Sequence, residues 1–103
     1  MIHMEDRHWK IVRDILNQYP YTFYAYGSRV KGNPKRFSDL DLCFTDPIPW
    51  NIQSHIDEDF EESDLPFKVD VIDWNLMGPE FQDLIRKDLL LVKKGQHSDK
   101  KEV

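Results

Sequence analysis

The sequence predicts a small α/β (α+β) protein in which helices pack against a mixed β-sheet. The first observation is that helix-like and strand-like segments alternate along the chain, in the order α-β-short α-β-α-β-α-β, as in folds where helices cover a sheet. The second is size, because 103 residues, 40% of them hydrophobic, suffice for a single core. We therefore expect one domain over residues 1–94 and a flexible polar tail over residues 95–103.

The chain is predicted to open with an amphipathic helix over residues 5–19. Apolar side chains recur there at helical spacing, at Ile11, Val12, Ile15 and Leu16. Pro20 ends the helix, and the aromatic-rich residues 22–26 form the first predicted strand. Because the connection is short, the helix is expected to pack directly on that strand. Residues 1–4 are expected to be loose.

A bend at Gly27-Ser28 follows the first strand, and ten residues separate it from Asp39-Leu40-Asp41. One helical turn over residues 29–31, closed by Gly32, is predicted after the bend. Residues 39–45 form the second predicted strand. The link between the two strands is too short for a full crossover helix, so this pair is predicted to be antiparallel.

Two further helix–strand units complete the predicted order. Proline-containing breakers precede both helices, as is common at helix starts. The predicted elements are an acidic helix with Ile52, Ile56 and Phe60 along one face, a strand over residues 67–74, a helix from Pro79 that buries Phe81, Leu84 and Ile85, and a strand over residues 89–93.

Asp39 and Asp41 are the first candidate metal ligands. Residues two apart share a face of a strand, so their carboxylates are expected to point the same way, while Leu40 and Leu42 point into the core. Neighbouring carboxylates repel each other unless a cation lies between them, and Mg²⁺ is the hard cation suited to carboxylate oxygens.

A third carboxylate, Asp70, alternates with Val69 and Val71 in the third predicted strand. The valines are expected on the core face and Asp70 on the opposite face. If this strand lies beside the second one, three carboxylates converge and can hold two metal ions. Asp73 is a competing candidate, but the same alternation turns it away from Asp70, so we prefer Asp70.

The Gly27-Ser28 bend offers backbone N–H groups at the start of a short helix, where a phosphate binds well. A metal site beside a phosphate site indicates nucleoside triphosphate chemistry. The loop that follows is basic, and Arg29 is predicted to reach the phosphates first. Its cationic residues are Arg29, Lys31, Lys35 and Arg36. Alternatively, Ser28 serves as a simple helix N-cap, and both roles can hold at once.

Composition excludes several other classes of function. A net charge of −5 argues against a general nucleic-acid binder. The single cysteine, Cys43, excludes an internal disulfide and favours a reducing, cytoplasmic setting. A buried thiol is expected there rather than a nucleophile. No signal peptide and no membrane-spanning run are evident, so a membrane partner is not expected.

The stretches YGSRVKGNPKRFSDLDL and LPFKVDVIDW resemble the minimal nucleotidyltransferase (MNT) family of the DNA polymerase β superfamily. The resemblance covers nearly the whole chain, from the first helix to about Val92. The Gly-Ser pair alone is a weak signal. Together with Asp-x-Asp at this spacing and a third aspartate in a later strand, it is specific. The resemblance implies the nucleotidyltransferase fold.

The resemblance also implies roles for individual residues. Gly27 and Ser28 would grip the triphosphate of ATP. Asp39 and Asp41 would bind two Mg²⁺ ions, and Asp70 would complete the metal site and help to activate the acceptor hydroxyl. That hydroxyl would attack the α-phosphorus and release pyrophosphate, a reaction that needs charge neutralisation and in-line positioning more than a strong nucleophile.

The family is often paired with a HEPN-domain partner, frequently a toxic ribonuclease. The resemblance therefore implies transfer of AMP to a tyrosine of a HEPN-type protein, with this chain as the antitoxin. Two alternatives stay open: a non-catalytic nucleotide-binding subunit that acts by complex formation, and nucleotidyl transfer to a small molecule. An RNA acceptor is disfavoured by the acidic charge.

Overall fold

A computed structural model describes residues 2–35 and 37–95 of the chain. Four α-helices, one 3₁₀ turn and four strands alternate along it. They are α1 (Asp6–Leu16), β1 (Phe23–Tyr26), α2 (Ser28–Lys31), β2 (Leu40–Phe44), α3 (Trp50–Glu61), β3 (Val69–Asp73), the 3₁₀ turn (Trp74–Leu76), α4 (Pro79–Arg86) and β4 (Leu90–Lys93). The α/β prediction and the order of its elements are confirmed.

The four strands form one mixed sheet in the order β3-β2-β1-β4. β1 is antiparallel to β2, as the short link between these strands predicts, and it is also antiparallel to β4. β2 and β3 are parallel, and α3 supplies the crossover that a parallel pair requires. The two strands predicted to carry the carboxylates are therefore direct neighbours.

The main core lies on one face of the sheet, under α1 and α3. β2 contributes Leu40, Leu42 and Phe44, all fully buried, to this core. Val69 and Val71 of β3 pack against it. The strand alternation thus places the leucines and valines as predicted, and it leaves the intervening residues of β2 and β3 on the other face.

A smaller apolar cluster lies on that other face and includes Tyr26, Cys43 and Ile85. The prediction that α4 buries Phe81 and Leu84 is wrong, because their side chains are 43% and 61% exposed. Only Ile85 of α4 is buried.

The sequence suggested that residues 1–4 are loose, but in the structure His3 pairs with α2. His3 N–H donates to the carbonyl of Arg29 at 2.7 Å, and Arg29 Nη1 donates back to the carbonyl of His3 at 2.9 Å. Ile2 and Met4 pack against the main core. At the other end, Gly95 N–H donates to Thr22 Oγ1, and the rest of the predicted tail lies outside the described residues.

Candidate active site

The parallel register of β2 and β3 sets two of the predicted carboxylates side by side. Asp41 is the Cα partner of Asp70, and on the other side Asp41 pairs with Tyr26 of β1. Directly opposed residues share a face, with Cβ atoms about 4.5–5.5 Å apart. Asp41 and Asp70 therefore project from neighbouring strands on the face away from the main core.

Asp39 lies one residue before β2 and is exposed. The three carboxylates are close enough to act on one another. Burial raises the pKa of Asp41 to about 6, and the negative charges of Asp70 and Asp39 add to that rise. The physical cause is that a half-buried carboxylate beside two like charges has too little water to stabilise its ionised form.

The Gly27 bend lies directly against Asp41. Gly27 has φ 86° and ψ −161°, a conformation that side-chain-bearing residues rarely adopt. A Cβ atom added at Gly27 would overlap Asp41 Oδ2. The bend therefore needs glycine for two reasons, its backbone conformation and the close approach of the carboxylate.

Ser28 is the first residue of α2, and Gly27 is the N-cap, with no side-chain cap bond. The interpretation of Ser28 as a simple N-cap is therefore wrong. At the other end, Gly32 adopts the left-handed conformation with φ 94°, as the predicted helix-closing glycine should.

Tyr26 belongs to the site and was not singled out from the sequence. Burial raises its pKa to about 12, with further contributions from Asp41, Cys43 and Asp70. The phenol therefore stays protonated at neutral pH and remains a hydrogen-bond donor. The available signal was its position at the end of β1, which antiparallel pairing brings opposite Asp41.

The donor set suits Mg²⁺, although it is not arranged as a ready coordination sphere. Within residues 2–35 and 37–95, no three acidic, histidine or cysteine side chains surround a common point that could hold a metal ion. Asp70 Oδ1 instead lies 3.4 Å from the ammonium of Lys68, whose side chain is 72% exposed. An exposed ion pair of this kind contributes only about 0–1 kcal/mol, so it is readily exchanged for a stronger cation.

The fit to a cation comes from the chemistry of the three carboxylates. Burial is the main cause of the raised pKa of Asp41, and the negative charges of Asp70 and Asp39 add to it. A hard divalent ion would relieve the repulsion between these charges, since it takes oxygen ligands in preference to others. Asp39, Asp41 and Asp70 are therefore the residues that would hold it.

Arg29 is held by protein groups rather than directed into solvent. It is 4% exposed, and its Nε donates to the carbonyl of Ser38 at 3.0 Å. Phosphate binding by Arg29 stays an untested prediction, and these contacts favour a role inside the protein. Of the other loop cations, Lys31 lies 3.9 Å from Asp88, Lys35 is exposed, and Arg36 lies outside the described residues.

Asp73 and Cys43, the other candidates for chemistry, have structural roles. Asp73 Oδ1 accepts the N–H of Asn75 at 2.9 Å and caps the 3₁₀ turn. Burial raises the pKa of Cys43 to about 11, so its thiol is protonated and unreactive at neutral pH.

A groove of about 580 Å³ runs along the outer edge of β3 and reaches Asp70. Its walls are formed by the β3 edge and by α3, including Asp57 and Phe60. β3 is a terminal strand of the sheet, so no further strand of the described residues covers its outer edge.

Two comparisons with known proteins show what the chain is similar to. The family model described as "Polymerase beta, Nucleotidyltransferase" matches residues 10–97. A protein of Haemophilus influenzae named "Probable protein adenylyltransferase MntA" is 39% identical over 95 residues, which cover 88% of this chain and 83% of the relative.

In the described parts of the chain, each helix is too short or too polar to cross a bilayer.

Proposed function

The chain belongs to the polymerase β nucleotidyltransferase family and is a nucleotidyltransferase, and we propose that it moves AMP from ATP, with Mg²⁺, to a hydroxyl group of a partner protein. The hydroxyl oxygen attacks the α-phosphorus and forms the new P–O bond, while Asp70 takes the hydroxyl proton. The bond between the α- and β-phosphates breaks, and pyrophosphate leaves with the electron pair.

Each predicted residue has a part in this proposal. The backbone N–H groups at Gly27 and Ser28, at the start of α2, bind the triphosphate. Asp39 and Asp41 hold the ions that accompany ATP. Asp70, at the open edge of the sheet, takes part in metal binding and faces the acceptor hydroxyl. When bound, Mg²⁺ supplies charge neutralisation on the phosphates and a lower pKa for a coordinated hydroxyl.

The acceptor is proposed to be a tyrosine of a HEPN-type partner, which would make this chain the antitoxin of a HEPN–MNT pair. Two points support a protein acceptor. The Haemophilus influenzae relative is named as a protein adenylyltransferase, and the groove beside Asp70 lies on an open strand edge that an acceptor segment can approach. ATP as the substrate and the free thiol of Cys43 are compatible with the cytoplasm.

The observation that carries the proposal is the pairing of Asp41 with Asp70 across two parallel strands, with Gly27 against Asp41. Two ionisable groups on adjacent strands at an open cleft, one with a strongly raised pKa, are typical of a functional site. The family match then identifies the chemistry as nucleotidyl transfer.

The test uses ATP labelled at either the α- or the γ-phosphate, with Mg²⁺ and the HEPN-type partner protein. We expect the α-label, and not the γ-label, to become covalently attached to the partner. Failure of the α-label to appear on the partner, with Mg²⁺ or Mn²⁺, would count against protein adenylylation. Label on an added aminoglycoside would instead indicate a small-molecule acceptor.

The non-catalytic alternative is tested with the double substitution Asp39→Asn, Asp41→Asn. It removes two negative charges and keeps the side-chain size. If the variant binds and silences the partner as well as the wild type does, complex formation is the mechanism and transfer is not. We expect binding to persist while both labelling and silencing are lost.

A further inference from the structure

Arg29 is the one charged side chain that is buried among residues 2–35 and 37–95. Burial of an ion is costly unless hydrogen bonds and nearby groups compensate for the lost water. A buried arginine in a domain of this size therefore has a specific structural reason, which its contacts reveal.

The guanidinium of Arg29 contacts three separate segments. Its Nε donates to the carbonyl of Ser38 at 3.0 Å, and its Nη1 donates to the carbonyl of His3 at 2.9 Å. Its central carbon lies 4.1 Å from the centre of the Phe67 ring, a close cation–π contact.

Two of these segments lead into the strands that carry the carboxylates. Ser38 immediately precedes Asp39, and Phe67 lies two residues before β3. The starts of β2 and β3 are also joined directly, because the N–H of Leu40 donates to the carbonyl of Lys68 at 2.9 Å. Arg29 therefore spans the points where the chain enters β2 and β3.

Arg29 also connects the starts of β2 and β3 to the glycine bend, since it is the second residue of α2, directly after Ser28. Burial lowers the pKa of Arg29, and the negative charge of Asp39 offsets part of that lowering. The bend, Asp39 and the start of β3 are thus held by one side chain.

We propose that Arg29 is a positioning residue that fixes Asp39 and the starts of β2 and β3 relative to the Gly27–Ser28 bend, so that the three carboxylates can share metal ions with a bound triphosphate. The inference rests on the proposed function. It gives Arg29 an indirect role, in contrast to the phosphate contact expected from the sequence.

Arg29→Lys is the informative substitution. Lysine keeps the charge, but it lacks the planar fork that serves two carbonyls and the flat face that lies on Phe67. We expect binding of Mn²⁺ in the presence of ATP, followed by electron paramagnetic resonance, to weaken about tenfold, because small misplacements of a site carry costs of this size or more. Binding of ATP in EDTA, followed by calorimetry, is expected to match the wild type.

One control and one further test variant separate positioning from stability. Ile56→Val removes a methylene from the main core, away from the carboxylates, and should lower the melting temperature without changing Mn²⁺ affinity. Phe67→Leu keeps Arg29 and removes the ring beneath it, so we expect a loss of Mn²⁺ affinity in the same direction, about threefold. This variant also keeps the proposal testable if Arg29→Lys does not fold.

Three results would overturn the inference. Unchanged Mn²⁺ affinity in folded Arg29→Lys or Phe67→Leu would show that the contacts do not position the site. An equal loss of ATP binding in EDTA would show a direct phosphate contact. Failure of the wild type itself to bind Mn²⁺ and ATP would overturn the proposed function along with the inference, whereas the first two results leave the proposed function intact.

Discussion

At the scale of single residues, Asp41 is the most constrained side chain of the site. It is flanked by Asp70 on β3 and by Tyr26 on β1, and it lies against the bare Cα of Gly27. Its elevated pKa shows that ionised Asp41 is unfavourable in the metal-free protein. A residue whose ionised form costs stability is typical of a functional position.

Asp41→Asn is therefore expected to stabilise the metal-free protein. The pKa of Asp41 is raised to about 6 in the folded state, so the ionised group destabilises the fold above that pH. After allowance for partial exposure we expect about 1 kcal/mol, or roughly 4–8 °C in melting temperature.

The pH dependence of that gain gives a second check. The folded protein takes up the Asp41 proton more readily than the unfolded chain does, so wild-type stability recovers as pH falls from about 6 towards about 4. The advantage of Asp41→Asn should be largest at pH 7 in EDTA and should vanish near pH 4. A variant that is less stable than the wild type at pH 7 would contradict the assigned electrostatics.

Gly27→Ala is expected to damage both the fold and the site. The added Cβ meets Asp41 Oδ2, and alanine is strained at φ 86°, which together cost about 1–3 kcal/mol. Thermal melts and Mn²⁺ binding measure the two effects. Gly78→Ala is the matched control, because nothing lies within 4 Å of a Cβ added there. Equal behaviour of the two variants would refute the close approach of the bend to Asp41.

At the scale of elements, the site depends on the parallel contact of β2 and β3. The alternation of polar and apolar residues in the sequence is sufficient to orient Asp41, Asp70 and the intervening leucines and valines, because a strand has a strict period of two. The spacing from Gly27-Ser28 also predicts which loop faces them. These local patterns explain why the elements and the placement of Asp41 beside Asp70 could be predicted.

Long-range contacts could not be predicted in this way. The burial of Arg29 depends on Ser38, His3 and Phe67, which are scattered along the sequence and meet only in the folded chain. The exposure of Leu84 depends on how α4 lies on the sheet, and helical spacing alone does not give that angle.

β3 also supplies a matched pair of substitutions. Asp70→Asn and Asp73→Asn each remove one charge from the same strand, three residues apart. Asparagine can still accept the N–H of Asn75, so the cap at Asp73 is preserved. We expect α-label transfer to fall about 100-fold or more in Asp70→Asn and to stay near the wild-type level in Asp73→Asn. The reverse ranking would show that the wrong aspartate was chosen.

At the scale of the whole molecule, the described residues form one main hydrophobic cluster and a second, minor one. Such a domain has a modest free energy of unfolding, so a bound nucleotide and its ions should contribute visibly to its stability. Carboxylates that repel one another without a cation strengthen this expectation, since binding relieves the repulsion.

We therefore expect Mg²⁺ and ATP together to raise the melting temperature more than either does alone. At 100 times the dissociation constant the gain is about 2.7 kcal/mol, or roughly 10–20 °C for a domain of this size. Thermal melts of the Asp39→Asn, Asp41→Asn double variant should show little of that synergy. An equal shift in wild type and variant would place the binding site elsewhere.

The central claim is that three aspartates from two neighbouring parallel strands hold divalent ions against a triphosphate seated on the Gly27–Ser28 bend. A crystal structure with Mn²⁺ and an ATP analogue bearing a methylene between its α- and β-phosphates tests it most directly, because anomalous scattering locates each ion. We expect the ions between the phosphates and the carboxylates of Asp39, Asp41 and Asp70. Ions bound away from these carboxylates, or a triphosphate away from the bend, would contradict the account.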